Sequence, residues 1–189
     1  ITPVDSKTSI GRQIISLNSD EIQTITTEWK GIQTWDCENP NLYTLKLELI
    51  NPQKQIVHIH EERIGFRTIE FRPKDGIYVN GTKIIVKGTN RHSFHPDGGR
   101  TTNRELSLQD ALLIKEMNMN AVRSHYPPDK HFLEICDSLG IFYLNELAGW
   151  QNSYDTETGL KLLSEMINRD VNHPCIFMWS NGNEGGWNK

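Results

Sequence analysis

Asp129-Lys130-His131-Phe132-Leu133-Glu134-Ile135-Cys136-Asp137-Ser138-Leu139-Gly140-Ile141-Phe142-Tyr143-Leu144 reads as a helix running straight into a buried strand. Asp129 is a helix-capping residue type, and Phe132, Ile135, Cys136 and Leu139 recur at i, i+3, i+4 and i+7. Gly140 supplies the left-handed residue that closes such a helix. The apolar run Ile141 to Leu144 has no polar face, which is how a strand covered on both sides reads.

The same grammar extends in both directions. Upstream, a helix is expected from Ser107, with Asp110 as its reciprocal capping partner and Leu108, Ala111, Leu112 and Lys115 on one face, followed by the short strand Ala121-Val122-Arg123. Before that, Ile77-Tyr78-Val79 and Lys83 to Val86 flank Asn80-Gly81, a strong hairpin signal. The turn also explains the sequon Asn80-Gly81-Thr82. A strand from Ile84 to Lys87 is expected to enter the loop Gly88 to His92. Downstream, a helix from about Thr158 to Val171 presents Leu160, Leu163, Met166 and Ile167, and Cys175 to Trp179 forms the last strand. The order is β-α-β-α-β-α-β after a hairpin, which predicts a parallel sheet covered by helices. An open doubly wound sheet and a (β/α)8 barrel both fit, and four strands would fill half a barrel.

Residues 1 to 72 follow a different pattern. Tyr43, Leu45, Leu47 and Leu49 alternate with Thr44, Lys46 and Glu48, and Asn51-Pro52 breaks the run. Ile56 to His60 and Ile64 to Phe71 read as further strands. Short strands without helix signals point to a β-sandwich, yet about 70 residues fall short of the roughly 100 such a fold takes, so further strands are expected ahead of these. The chain is therefore read as multidomain β plus α/β, with an incomplete sandwich at 1–72 and half of a barrel at 73–189.

Bulk properties narrow the function. With 189 residues, 36% hydrophobic and a formal net charge of -4, the chain has an ordinary globular composition and no basic surplus for nucleic acid or an anionic membrane surface. The apolar runs are too short to span a bilayer, and no signal segment is visible, so cytoplasm and periplasm both stay open as locations. Cys136 and Cys175 read as small core residues and, with Cys37, form no disulfide or metal pattern.

In a parallel α/β sheet the working groups sit at the carboxyl ends of the strands. Those positions hold Asn90, Arg91 and His92, then His125 and Tyr126, then Glu146, then Asn183 and Glu184. This polar concentration suits a hydroxyl-rich ligand. Glu184 stands out, because Ser180-Asn181-Gly182-Asn183 places its carboxyl at the rim of the sheet with an amide beside it. Glycoside hydrolysis needs a proton for the leaving oxygen and a second carboxylate facing the anomeric carbon. The alternative is a solvated loop glutamate next to a turn-forming asparagine.

The stretch from Asp170 through Asn183-Glu184 resembles the acid/base signature of glycoside hydrolase family 2. Asn120 to Pro127, continuing to Asp137 and Gly140 to Leu144, resembles that family's other signature. Asn90-Arg91-His92 is similar to the β-galactosidase form, whereas β-glucuronidases tend to carry Lys in the middle. Trp35, Asn39 to Tyr43 and Gly65-Phe66-Arg67 resemble the sandwich ahead of the barrel. The resemblance implies an immunoglobulin-like domain feeding a (β/α)8 barrel, a β-galactoside as substrate and Glu184 as general acid/base. Asn183 would hold the sugar 2-hydroxyl, and His92 and His125 would line the glycosyl subsite. Arg123, Arg91 and Glu146 would support them. Trp150 and Trp187 are candidates for stacking on sugar or for packing.

Three departures accompany the resemblance. The nucleophilic glutamate that these enzymes carry late in the barrel is absent, and Glu146 is a poor substitute. One residue separates Arg123 from His125 where relatives have two, which would turn the later side chains to the opposite face unless a bulge compensates. Relatives that bind Mg²⁺ carry Glu-x-His after the third strand. Here Leu147-Ala148-Gly149-Trp150 follows Glu146, so no metal ligand or cofactor is assigned. An open barrel edge also leads us to expect self-association.

Overall fold

The computed structural model describes residues 1–17, 22–152 and 154–184. Trp187 lies outside them. The first unit is a three-stranded antiparallel sheet of β1 (Thr2–Pro3), β2 (Tyr43–Ile50) and β3 (Ile56–Ile64), in the order β1-β2-β3. The apolar face expected on β2 is only partly buried: Tyr43 is buried, but Leu47 and Leu49 are 53% and 47% exposed while Glu48 between them is half-buried. Among the described residues this unit holds one sheet where a sandwich would stack two, so its apolar face has little to cover it.

The expected strand from Ile64 to Phe71 is split. β3 ends at Ile64, and β4 (Ile69–Arg72) pairs instead with β5 (Gly76–Val79), which pairs with β6 (Thr82–Ile84). The intervening Gly65-Phe66-Arg67 is drawn onto the second unit. Arg67 donates from Nε to the carbonyl of Pro174 at 2.5 Å and from Nη2 to that of Ile176. The hairpin between β5 and β6 turns at Asn80 (φ 50°) and Gly81 (φ 77°), the left-handed pair that a two-residue turn requires.

A parallel sheet follows, built from β7 (Gly88–Asn90), β8 (Ala121–Arg123), β9 (Phe142–Glu146) and β10 (Ile176–Ser180), in the order β10-β9-β8-β7. Joined by α1 (Arg104–Glu116), α2 (Lys130–Leu139) and α3 (Thr156–Asp170), these strands are the first half of a (β/α)8 barrel. The first barrel strand lies at 88–90 and not at 84–87, because Ile84 is taken by the hairpin, where it pairs with Ile77. Gly88 can then run against β8, where an added Cβ would meet the Ala121 carbonyl oxygen at 3.0 Å.

Two helix starts also move. α1 is capped by Asn103, whose side chain accepts from Leu106 N at 2.9 Å, four residues before the expected cap Ser107. Its buried stripe is therefore Ser107, Ala111 and Ile114, while Leu108 and Leu112 are exposed. α3 begins after Asp155, which accepts from Thr158 N; that hydrogen bond holds its carboxyl below the usual range. Met166 and Asp170 are its buried residues, and Leu160 faces out. α2 buries Phe132, Ile135 and Cys136 as expected, and Asp129 precedes it, but the Asp129 side chain makes no cap hydrogen bond and accepts from the Thr102 hydroxyl instead.

The two units meet at the amino ends of the barrel strands. Trp35 is fully buried, packs edge-on against Phe142 at 5.5 Å and donates from Nε1 to the Asp137 carbonyl at 2.8 Å. The Asp137 carboxylate accepts from Cys175 N at 3.0 Å and lies 2.6 Å from His173 Nδ1. Burial raises the Cys136 and Cys175 thiols well above their ordinary range, in keeping with inert core residues.

Gly140 shows how tight this junction is. Its φ is +68°, and a Cβ there would stand 2.4 Å from the carbonyl oxygen of Cys37. Gly140→Ala is expected to combine left-handed strain with a clash between the units, lowering the thermal midpoint by more than about 4 °C. An unchanged midpoint by calorimetry would contradict this packing.

Candidate active site

All four parallel strands end at one rim, and the polar residues expected there are present. The centre of the rim is Arg123, at the end of β8. Its Nε and Nη2 grip the two oxygens of Glu146, at the end of β9, at 3.0 and 2.9 Å. Nη2 also donates to Asn183 Oδ1 at 2.8 Å, beyond β10, and Nη1 reaches Asn90 Oδ1 at 3.4 Å on β7. One planar fork thus links the ends of β7, β8 and β9 and the loop after β10. The Glu146 side chain is 1% exposed, so its charge is compensated in place by the guanidinium.

The short spacing between Arg123 and His125 does not reverse the strand end. Residues i and i+2 share a face, and both side chains point toward Glu146. His125 Nδ1 lies 3.8 Å from Glu146 Oε1. Ser124 turns the other way into the core, where its hydroxyl bonds to the Tyr143 hydroxyl and to the Tyr126 carbonyl at 2.6 Å. Desolvation pushes the Tyr143 phenol up, so it stays a neutral partner for Ser124.

His92 and His125 stack with ring centroids 4.8 Å apart and planes 9° from parallel. The Tyr126 hydroxyl steadies the loop after β7: it accepts from Ser93 N at 3.0 Å and lies 3.3 Å from His92 Nδ1. Beyond β9 and β10 the loops continue the parallel pairing, with Trp150 bridged to Asn183 and Asn183 N donating to the Gly149 carbonyl at 3.2 Å. Glu184 follows in a left-handed conformation, φ 47°, and its Oε2 accepts from the Trp150 indole N–H at 3.2 Å.

Together His92, His125, Asn183, Glu184 and Trp150 line one cleft of about 530 Å³, with Arg100 and Tyr126. Glu184 is the one carboxylate among those lining residues. A second hollow, lined by Val86, Val122, Leu144 and Phe177 among others, is the concave inner face of the half-barrel.

Arg91 is not brought to the cleft. Its side chain is 7% exposed, pairs with Asp110 of α1 at 2.8 Å and lies over the Phe132 ring at 4.0 Å. The middle residue of Asn90-Arg91-His92 thus anchors the loop to the helix layer. Asn145 donates from Nδ2 to Asp170 at 2.8 Å; an aspartate there would set two carboxylates against each other. Trp150 is the functional candidate that spacing left undecided, and no periodicity distinguishes it from a packing indole.

Both oxygens of Glu146 are already occupied by Arg123, and among the described residues no group of three or more His, Cys, Asp or Glu is placed to hold an ion.

The comparisons agree with this architecture. The profile "Glycosyl hydrolases family 2, TIM barrel domain" matches residues 70–189, and "Glycosyl hydrolases family 2" matches residues 2–67. A β-galactosidase of Thermoanaerobacterium thermosulfurigenes is 42% identical over 156 residues, covering 79% of this chain and 21% of that protein. A β-galactosidase of Lactococcus lactis is 37% identical, covering 81% of this chain and 16% of that protein. Among solved structures, a β-glycosidase from Bacteroides vulgatus superposes with TM-score 0.78 at 32% identity, over 85% of this chain and 22% of that one. A β-glucuronidase from Parabacteroides merdae gives TM-score 0.71 at 30% identity, over 78% and 19%. The chain thus spans about a fifth of the length of these relatives.

If the guanidinium is what makes a buried Glu146 tolerable, Arg123→Met is expected to cost about 3–5 kcal/mol in urea unfolding. Adding Glu146→Gln should recover much of that loss. A single-variant loss below about 1 kcal/mol would show the pair to be dispensable.

Proposed function

The chain belongs to glycosyl hydrolase family 2, and from that premise we propose that it supplies the acid/base half of a retaining β-galactosidase site. The observation that carries this reading is the shared cleft: Glu184 lines it with Asn183, His92 and His125, on the side where all four barrel strands end. In this reading Glu184 protonates the glycosidic oxygen as the bond breaks and then takes a proton from the attacking water. Asn183 fits the role of sugar-hydroxyl partner. Its Oδ1 is engaged by Arg123, which leaves the amide N–H₂ group to donate toward a ring hydroxyl. The stacked His92 and His125 offer a flat polar wall to the glycosyl group.

The retaining mechanism also needs a carboxylate about 5–5.5 Å from the acid/base. Glu146 is a poor nucleophile because Arg123 holds both its oxygens, so we assign the nucleophile to a longer glycosidase polypeptide that contains this chain. Galactoside specificity is supported by the β-galactosidases of T. thermosulfurigenes and L. lactis. β-Glucuronide is the second reading, favoured by the likeness to the P. merdae β-glucuronidase and by the remote position of Arg91.

Assays with p-nitrophenyl β-D-galactoside and the matching β-D-glucuronide test both points. The longer polypeptide is expected to prefer the galactoside, and Glu184→Gln to lose about 10²-fold or more in kcat toward a β-galactosyl disaccharide, whose unactivated leaving group needs the proton. Residues 1–189 alone are expected to show no turnover. Saturable hydrolysis by residues 1–189 that Glu184→Gln abolishes would refute the division of labour, and full activity of Glu184→Gln would refute the assignment of the acid/base.

The edges of the parallel sheet support one more proposal. Among the described residues β10 pairs only with β9, and β7 only with β8. An open strand edge beside an apolar inner face favours self-association of residues 1–189 on their own. Sedimentation equilibrium should then show a concentration-dependent dimer. A monomer at every concentration, with a high thermal midpoint, would overturn this.

A further inference from the structure

Trp150 is 66% exposed, a wide apolar surface left uncovered on the wall of a polar cleft. Two observations make it more than a chance surface indole. Its backbone is bridged in parallel register to Asn183, so it is held beside the loop after β10. Its N–H donates to Glu184 Oε2 at 3.2 Å. We infer that Trp150 is a positioning residue for Glu184 and that its ring face is the platform for the leaving group.

The chemistry follows from the indole being a donor only. A carboxyl group can carry its acidic proton on either oxygen. With Oε2 committed as acceptor to an N–H that cannot accept in return, the proton resides on Oε1. The acid is thereby aimed with one oxygen held and the other free to meet the glycosidic oxygen. As that proton leaves, Oε2 gains negative charge and the indole hydrogen bond becomes charge-assisted, strengthening as the reaction proceeds. The same ring presents its face next to the group that protonates the leaving oxygen. A sugar or aryl aglycone would rest its apolar face there, as aromatic side chains offer both area and shape to such ligands. The aglycone class implied is a flat or pyranose ring directly attached to the scissile oxygen.

This inference rests on Glu184 being the acid, so Glu184→Gln is the control. Two Trp150 variants in the longer polypeptide separate the two roles. Trp150→Phe keeps the ring and removes the N–H. Assistance to the leaving group matters most when that group is a poor one, so kcat/KM for a β-galactosyl disaccharide should fall about tenfold, through kcat. With a 2,4-dinitrophenyl leaving group, which departs without a proton, kcat/KM should stay within about twofold. Trp150→Ala should add a several-fold rise in KM for the disaccharide. Because kcat/KM reports the steps up to bond cleavage, slow hydrolysis of an intermediate does not blur the comparison.

Equal losses on both leaving groups, or no loss on either, would overturn the positioning role while leaving the acid/base assignment intact. Equal KM for Trp150→Phe and Trp150→Ala would overturn the platform. If Glu184→Gln is itself fully active, the acid/base reading fails first. Trp150 is exposed and outside the core, and circular dichroism of each variant checks directly that the fold is kept.

Discussion

One guanidinium holds the working end of this molecule together. Arg123 spans side chains belonging to β7, β9 and the loop after β10 while itself ending β8, so four strands share a single charged hub. A parallel sheet leaves its carboxyl ends without hairpins to fix them, and each strand exits into a separate loop. Glu146 would be costly at 1% exposure without a cation, and Asn183 would be free to rotate without a donor. The same bidentate geometry that neutralises one carboxylate therefore orients the amide next to the other. A lysine would offer one point charge to three acceptors and lose the fork.

The opposite end of the sheet is held by different means. There Trp35, which donates to the backbone carbonyl of Asp137 and packs on Phe142, and Arg67 bring the antiparallel unit onto the first residues of β9 and β10. Burial depresses the Arg67 pKa, yet its donors remain satisfied by backbone carbonyls of the barrel. Apolar and backbone contacts dominate at this end, and charged side chains dominate at the rim. That division lets the rim carry exposed groups such as Glu184 and Trp150 without the fold depending on them.

Much of this was legible in the sequence, and the parts that were not share a physical cause. α2 and β9 follow from the pattern between Asp129 and Leu144, because a helix with one apolar face and a strand with two leave little ambiguity. The start of α1 was misplaced because Asn103 and Ser107 are both competent caps, and only packing chooses between them. β7 was misplaced because Ile84 to Val86 looks more strand-like than Gly88-Thr89-Asn90, yet the hairpin claims Ile84 and proximity to Ala121 demands a glycine. At the rim, sequence reasoning named the residues but could not say which turn inward. Arg91 and His92 are neighbours that point to different layers, and Ser124 sits between two inward-facing side chains. The indole partner of Glu184 was out of reach for a simpler reason: residues 150 and 184 are brought together only by the loop pairing beyond β9 and β10.

The central claim is that the rim organised by Arg123 is where a galactoside sits. Nuclear magnetic resonance titration of isotopically labelled protein with methyl β-D-galactoside tests it without relying on turnover. The account predicts saturable shifts at the backbone amides of Asn183 and Glu184 and at the imidazoles of His92 and His125, with Gly140 and Trp35 at the other end unmoved. Shifts confined to that other end, or none at the rim up to the solubility limit of the ligand, would contradict it.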